Sequence, residues 1–504
     1  MLARDYAVVP VWRELLADLT TPVSLFARCV GDGEGFLLET VDRAETWGRW
    51  SFIGRNPSAT ITSSRAGGLK VTGNLPDVIR TDAGMLAAIE DLLVHFQSPS
   101  IEGLPPLHGG LMGYLGYDVV REIEHLPDVP PDDRGFPDGI MSVIGELVAI
   151  DHWRQRAFLL TNVVVPEFTE DAGVDQAVLD MAYDEAVGRL DRLAEDGARP
   201  LEEPLMSPPD PADEPPEVTS TMSAEMYEAA VEVVREHILA GEVFQVVLSQ
   251  RFDVELEAEP FDVYRVLRQV NPSPYMYFLR YEDLVVVGAS PEPMVQLLDG
   301  RVVSRPIAGT RRRGRTDLED RRMAAELAED PKEIAEHVML VDLARNDLGR
   351  VVAFGTEAVD EMMTLEYYSH VMHLTSQVAG ELAEGRSPID VLRATLPAGT
   401  VSGAPKVRAM EIIDALEPVK RGPYAGVVGY FDFSGNIDTA IAIRTMFVAD
   451  GIASVQAGAG IVADSVPELE NLECRNKARA LLSAIPAARR MTTARQVALG
   501  RRGF

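Results

Sequence analysis

Three features of this sequence predict an α+β fold. Short apolar runs alternate with polar residues at the period of two that half-buried strands require, as in Gly35-Phe36-Leu37-Leu38-Glu39-Thr40 and Trp50-Ser51-Phe52-Ile53. Stretches of helical periodicity, Asp180 to Leu193 and Ser223 to Ala240, interrupt them in irregular order, unlike the strict alternation of a doubly wound sheet. Near the C-terminus, Ile441 to Val448 and Ile452 to Ala457 flank Asp450-Gly451, a two-residue turn that joins antiparallel strands. The 504 residues allow two or more domains.

In chain order, residues 1–198 carry the first strand-like runs and are read as an N-terminal lobe. The segment Gly109-Gly110-Leu111-Met112-Gly113-Tyr114-Leu115-Gly116-Tyr117 lacks the strand-then-helix setting of a nucleotide loop, so its glycines point to close backbone packing. Residues 199–221 are dense in proline and acid and read as a linker or surface excursion. A second domain is expected over 222–487. Ser223 caps its first helix, which Gly241 ends; strands follow at Val243 to Phe252, Met276 to Arg280, Leu284 to Val287 and Val302 to Ile307. The basic cluster Arg311, Arg312, Arg313 and Arg315 is expected in solvent. Asp330 as cap and Pro331 at the first position open a helix reaching about Gly349, with Glu333 placed to close a capping box. Ser465 and Glu468 form a second capping-box pattern, and residues 488–504 read as a loose basic tail.

Composition narrows the function. At 46% hydrophobic and 25% charged the chain is an ordinary globular one, and no apolar run approaches a bilayer span, so no membrane role is expected. A net charge of −32 repels nucleic acid. Cys29 and Cys474 stand far apart without ligand spacing, which argues against a disulfide framework or zinc and for a reducing cytoplasm. The N-terminal residues do not read as a signal peptide. A small anionic substrate would therefore need a local positive site.

Two helix faces supply the material for such a site. Glu333 and Glu336 lie three apart on one; Glu470, Glu473 and Lys477 recur at three and four on the other, beside Gly458 and Gly460. Converging carboxylates need a cation in a low-dielectric cleft, and oxygen-only ligation suggests Mg²⁺. Counting back from the Asp450-Gly451 turn sets Arg444 opposite Ala457, where a guanidinium meets a glycine-lined backbone suited to a carboxylate. The residues alone suggest an Mg²⁺-dependent enzyme for a small polycarboxylate.

A set of motifs in fixed order extends this reading: Phe244-Gln-Val-Val-Leu-Ser249, Gly288-Ala-Ser-Pro-Glu292, Arg305-Pro-Ile-Ala-Gly-Thr310, Asp330-Pro-Lys-Glu-Ile-Ala-Glu336, His370-Val-Met-His373, Gly399-Thr-Val-Ser-Gly-Ala-Pro-Lys406 and Gln456-Ala-Gly-Ala-Gly460. With them the chain resembles the chorismate-utilising enzymes, in particular those that aminate the ring to anthranilate. The resemblance implies a two-lobed fold of antiparallel sheets packed against helices. It also implies ammonia addition at C2 of chorismate as the C4 hydroxyl leaves, then pyruvate elimination.

On the same grounds Glu336 and Glu473 would hold Mg²⁺ with Glu333 and Glu470 in support, and Glu292 would protonate the departing hydroxyl. His373 would serve the elimination, Tyr424 and Arg444 the pyruvyl carboxylate, and Gly458, Gly460 and Lys477 the ring carboxylate, with Gly309 and Thr310 lining the pocket. Relatives that add water carry a lysine where Gln245 stands, and relatives that form a covalent adduct carry one where Ala308 stands; both differences leave direct amination. Alternatives that remain are a synthase stopping at 2-amino-2-deoxyisochorismate and a non-catalytic regulatory subunit of the same fold.

Neither cysteine lies in a glutaminase elbow, so the resemblance implies a glutamine amidotransferase partner in a hetero-oligomer. It further implies a tryptophan feedback site at Leu38, Glu39, Thr40, Ser51, Asn271, Pro272, Pro274, Tyr275 and Met276. There Thr40 and Trp50 replace the usual Ser and Tyr, and the extra methyl of Thr40 is expected to overpack against the inhibitor.

Overall fold

A computed structural model describes residues 2–40, 48–63, 68–165, 175–201, 203–368 and 371–500; His370 and the tail residues 501–504 lie outside them. Among the described residues the chain forms two antiparallel sheets, of 12 and 11 strands, with helices on their outer faces. The α+β expectation is met.

The first sheet runs, in neighbour order, through Trp50–Arg55, Gly35–Glu39, Tyr275–Arg280, Val285–Ser290, Thr445–Ala449, Ile452–Ile461 and Gln245–Glu255. The lobe boundary drawn at residue 198 therefore falls inside a continuous sheet, since Leu38 pairs with Tyr277 and Phe36 with Leu279. Alternation explains which side each residue faces. Phe36, Tyr277, Leu279 and Phe447 point between the sheets and meet Met112, Tyr114, Val428 and Tyr430 of the second sheet. Leu37, Met276 and Phe278 point outward, under the Pro22–Cys29 and Pro260–Val270 helices. The second sheet covers its own outer face with the Met85–His95, Pro331–Leu348 and Pro388–Thr395 helices.

The glycine-rich segment is a fully buried strand, Gly110–Leu115. A Cβ on Gly113 would stand 1.9 Å from the Ile140 carbonyl oxygen, so close backbone packing is what these glycines permit. Helix starts follow the sequence at two places. Ser223 accepts from the Met226 amide, and Asp330 accepts from the Lys332 and Glu333 amides.

Elsewhere the structure corrects the reading. Ile441 to Val448 is not one strand: Ile437–Ile441 lies in the second sheet and Thr445–Ala449 in the first, and the chain crosses between them at Arg444, whose φ is +50°. Val302 to Ile307 divides into Arg301–Ser304 and Ile307–Arg312, both paired to Val371–Glu381. Ser465 does not cap the Pro467–Leu482 helix; its hydroxyl accepts from the Val462 amide at 3.0 Å, and Val466 occupies the cap position. The stretch read as a loose tail is helical over Ile485–Gly500, because its alanine-rich side packs on the core while Thr492 donates to Asp262 at 2.9 Å. The arginine cluster does lie at the surface, with Arg312 and Arg315 exposed, but three of its members are paired: Arg311 with Asp330 and Glu333, Arg312 with Glu319 and Arg313 with Asp320. Among the described residues no helix is long and apolar enough to cross a membrane.

Candidate active site

The crossing between sheets creates the site. Glu292 follows the Val285–Ser290 strand, Arg444 sits at the crossover, Gly458 and Gly460 lie on Ile452–Ile461, and Lys477 projects from the Pro467–Leu482 helix. With Tyr424, all six line one cavity of about 140 Å³, together with Thr400 and Gln456. A positive φ is uncommon for a residue with a Cβ and is kept where the surroundings enforce it. Two such residues, Arg444 and Ala425, flank this cavity.

Charge inside the cavity is unbalanced toward the positive. The Arg444 guanidinium makes no hydrogen bond or ion pair among the described residues, and burial pulls its pKa down, with Glu473 and Tyr424 opposing. Lys477 donates to the Gly458 carbonyl at 2.8 Å and pairs with Glu473 at 2.8 Å. Against them, burial pushes the Glu292 carboxyl up to about 7, offset in part by a hydrogen bond from Thr400 and by Lys477. The Thr400 hydroxyl donates to Glu292 Oε1 at 2.8 Å. A carboxyl held there is protonated for much of the time at neutral pH, which suits a general acid.

The glycines are needed for close approach. A Cβ on Gly458 would come within 2.9 Å of the Leu248 carbonyl and 3.0 Å of the Tyr424 hydroxyl, and one on Gly460 within 2.5 Å of Gln245 Nε2. The Gln245 carboxamide thus lies against the glycine backbone, while Ala308 is buried with no functional group.

Gly309, Thr310 and His373 do not line this cavity; they form a neighbouring edge where Ile307–Arg312 pairs with Val371–Glu381. Gly309 has φ +66° in a bulge of that pairing. His373 Nδ1 stands 3.1 Å from the Gly309 carbonyl and 3.1 Å from the Thr310 hydroxyl. A carbonyl only accepts, so Nδ1 carries the proton and Nε2 keeps its lone pair. Burial lowers the imidazole pKa, and Arg444 lowers it further.

The four glutamates come from two helices within electrostatic reach of one another. Glu336 is raised first by burial, then by Glu333, with Glu473 adding to the effect; Glu470 is raised by burial and by Glu473. Glu333 does not close a capping box but accepts from Arg311 at 2.9 Å. Among the described residues, no three His, Cys, Asp or Glu side chains form a preformed metal-ligating group. The donor chemistry nonetheless fits a hard cation: carboxylates only, mutually destabilised, with Glu336 making no hydrogen bond or ion pair among the described residues.

A second cavity, of about 460 Å³, opens between the sheets and is lined by Leu38, Glu39, Thr40, Pro274, Tyr275 and Met276. Trp50, Phe52, Trp153 and Tyr430 give it aromatic walls, and Arg49 stacks 4.7 Å over Trp50. Tyr275 donates to Asp438 at 2.9 Å, and burial pushes that carboxyl up to about 6. Glu39 is already engaged, accepting from Tyr264 at 2.6 Å and Arg268 at 3.0 Å. Ser51, Asn271 and Pro272 are not among the lining residues. Strand alternation turns Ser51 to the opposite face, where it meets His152 at 2.7 Å, and Asn271 ends the Pro260–Val270 helix.

Two structural partners of the main cavity carry no sequence signal of their own. Arg421 donates to the Val401 and Val247 carbonyls at 2.7 Å each and to Glu417, and Glu417 accepts from Ser249. This buried pair ties the Thr400 turn, the Gln245–Glu255 strand and the Tyr424 segment together. Thr400 itself stood inside a recognised motif, but only the fold sets its hydroxyl against Glu292.

The family profile of the chorismate binding enzymes matches residues 40–483, and the chain belongs to that family. Within it, the chain is similar to anthranilate synthase component 1 of Acetivibrio thermocellus, 45% identical over 97% of both chains. It is also similar to the protein of the same name from Mycolicibacterium smegmatis, 46% identical over 97% of this chain and 92% of the relative. Among solved structures, anthranilate synthase component I from Streptococcus pneumoniae superposes with a TM-score of 0.74, 35% identity, and coverage of 93% of this chain and 99% of that one. The menaquinone-specific isochorismate synthase MenF from Escherichia coli shares the fold, with a TM-score of 0.68 at 18% identity, covering 96% of this chain and 97% of its own.

Proposed function

We propose that this protein is the synthase component that converts chorismate and ammonia to anthranilate, pyruvate and water, the first step of tryptophan biosynthesis. One observation carries the reading: a single cavity joins a guanidinium that has no partner among the described residues, an ammonium and a buried carboxyl near neutrality. Outside its lining, Gln245 and Ala308 stand where water addition or a covalent adduct would need lysine. The component 1 relatives support it.

Chorismate brings two carboxylates. Arg444 and Tyr424 would bind the pyruvyl carboxylate, and Lys477 with the backbone at Gly458 and Gly460 would border the ring carboxylate. Glu292 gives its proton to the C4 hydroxyl as the C4–O bond breaks and ammonia bonds to C2, so the oxygen departs as water, and the ammonium formed at C2 gives up one proton in return. His373, through Nε2, then takes the C2 proton, the bond between the ring and the enolpyruvyl oxygen breaks and the ring becomes aromatic; the departing enolpyruvate takes a proton at its methylene carbon to become pyruvate. Glu336 and Glu473, supported by Glu333 and Glu470, would hold Mg²⁺, which when bound supplies Lewis-acid polarisation at the ring carboxylate.

Ammonia would come from a glutamine amidotransferase partner, the second component of a hetero-oligomer. L-Tryptophan would inhibit from the aromatic-walled cavity at Leu38 and Met276.

Incubating the purified chain with chorismate, Mg²⁺ and ammonium, and following anthranilate fluorescence and pyruvate release, tests the proposal. Intact chorismate would reject it. Chorismate loss without pyruvate would instead mean that the reaction stops at 2-amino-2-deoxyisochorismate.

A further inference from the structure

Gln456 lines the main cavity beside Arg444 and Gly458 and is only 5% exposed. Its amide is fixed from behind. Gln456 Nε2 donates to Ser249 Oγ at 2.8 Å. The Ser249 hydroxyl commits its single proton to Glu417 Oε1, also at 2.8 Å, and that carboxylate accepts as well from the Ser249 amide and from Arg421. Ser249 Oγ can therefore only accept from Gln456, which sets the amide nitrogen against Ser249 and the carbonyl Oε1 on the opposite side. Among the described residues Oε1 accepts no hydrogen bond and is not one of the sealed, unpartnered polar atoms, so it opens on the cavity that Gln456 lines.

A carbonyl only accepts, so this oxygen is matched by a donor and repels a carboxylate. Arg444 and Lys477 take the two carboxylates of chorismate in the proposed reaction, and Glu292 takes the C4 hydroxyl. The donor that remains is the nitrogen. C2 of chorismate lies between the carbon that bears the ring carboxylate and the carbon that bears the enolpyruvyl oxygen, and Gln456 adjoins the groups assigned to both. It precedes Gly458 by two residues on the same face of the Ile452–Ile461 strand, roughly 7 Å along it. It also follows Val455, which pairs with Met446, two residues past Arg444. Taking this cavity to aminate chorismate as proposed, we infer that Gln456 Oε1 holds the incoming ammonia by one of its N–H groups and turns its lone pair toward C2.

The amide takes no proton in this role. As the lone pair bonds to C2 the nitrogen becomes cationic, and a charged N–H donor holds its acceptor roughly twice as strongly as a neutral one. The contact thus strengthens toward the transition state, where it lowers the barrier and not only the free energy of bound ammonia. Ser249 acts only through Gln456 and is a positioning residue: without its hydroxyl the amide can rotate and Oε1 loses its aim.

The test uses the full chain with chorismate, Mg²⁺ and ammonium chloride at fixed pH and ionic strength. Gln456→Met keeps an unbranched side chain of similar size without the acceptor. It is expected to raise the ammonium KM at least tenfold and to leave the chorismate KM within twofold. Ser249→Ala should raise the ammonium KM severalfold, add nothing to Gln456→Met in the double variant, and serves alone where Gln456→Met does not fold. An unchanged ammonium KM in a folded variant would overturn the inference. So would a raised chorismate KM with the ammonium KM unmoved, which would put Oε1 against the substrate, and so would a lower kcat and thermal midpoint with both KM values unmoved, which would make the amide a packing element. The parent chain separates the two levels: if it leaves chorismate intact, the proposed reaction falls and this inference with it. A parent that aminates chorismate beside variants with its ammonium KM removes the role of Gln456 alone.

Discussion

Replacing Glu292 with glutamine should make the protein more stable at alkaline pH while removing its activity. Burial lifts the carboxyl from an ordinary 4.5 to about 7, which corresponds to roughly 3 kcal/mol against ionisation in the folded state. The side chain faces a cavity that solvent reaches in part, so about 1–3 kcal/mol is the working range.

The sign follows from proton binding. Between pH 4.5 and about 7 the folded protein holds more protons at this site than the unfolded chain, so stability falls as pH rises through that window and stays lower above it. Glutamine keeps an oxygen for the Thr400 hydroxyl and has no charge to bury. Thermal midpoints at pH 8.5 should therefore rise in Glu292→Gln and match the parent at pH 4.5. Over the same samples kcat should drop about 10²–10⁴-fold, the usual contribution of a positioned acid. An equal shift at both pH values, or a variant that is less stable at pH 8.5, would show that the carboxyl is not held at a raised pKa by its surroundings.

Four further outcomes are expected. Glu336→Gln and Glu473→Gln should each cut Mg²⁺-dependent turnover at least about 100-fold and abolish the heat of Mg²⁺ binding in calorimetry; normal kinetics in either would remove the metal assignment. Gly458→Ala drives a methyl to 2.9 Å from the Leu248 carbonyl and 3.0 Å from the Tyr424 hydroxyl, and should raise the chorismate KM about tenfold or more with an unchanged circular dichroism spectrum. Arg421→Met leaves Glu417 buried without its cation and should cost about 3–5 kcal/mol in chemical denaturation, most of it recovered by adding Glu417→Gln, whereas kcat stays low in both. Thr40→Ser removes one methyl from the aromatic-walled cavity and should lower the tryptophan concentration for half-inhibition severalfold in the anthranilate assay.

How far the sequence could be read depends on whether a feature is local. Asp450 and Gly451 have φ of +54° and +73°, as their turn demands, and the register Val448↔Ala453 follows from it. Asp330 and Ser223 cap helices because a cap needs only a few residues of context. Ile441 to Val448 failed for the opposite reason: a period of two says nothing about which sheet a strand joins, and the change of sheet at Arg444 is decided by the rest of the fold. The helix from Ile485 was hidden by its charges, since only the Pro260–Val270 helix reveals which side of it is covered. Of the residues lining the main cavity, Glu292, Gly458 and Gly460 were legible because they stand in motifs, and Arg444 because it follows from counting back from the Asp450-Gly451 turn. Thr400 and Arg421 were not, because a hydroxyl and a guanidinium acquire meaning only from what they touch.

The strand pairing of Leu38 with Tyr277 has a practical outcome for anyone hoping to trade parts between relatives. Neither half can be expressed by itself without baring a row of unsatisfied amides, so a chimaera joined in the proline-rich excursion would have to keep both edges of that seam from one parent. Inheritance across this seam is all or nothing.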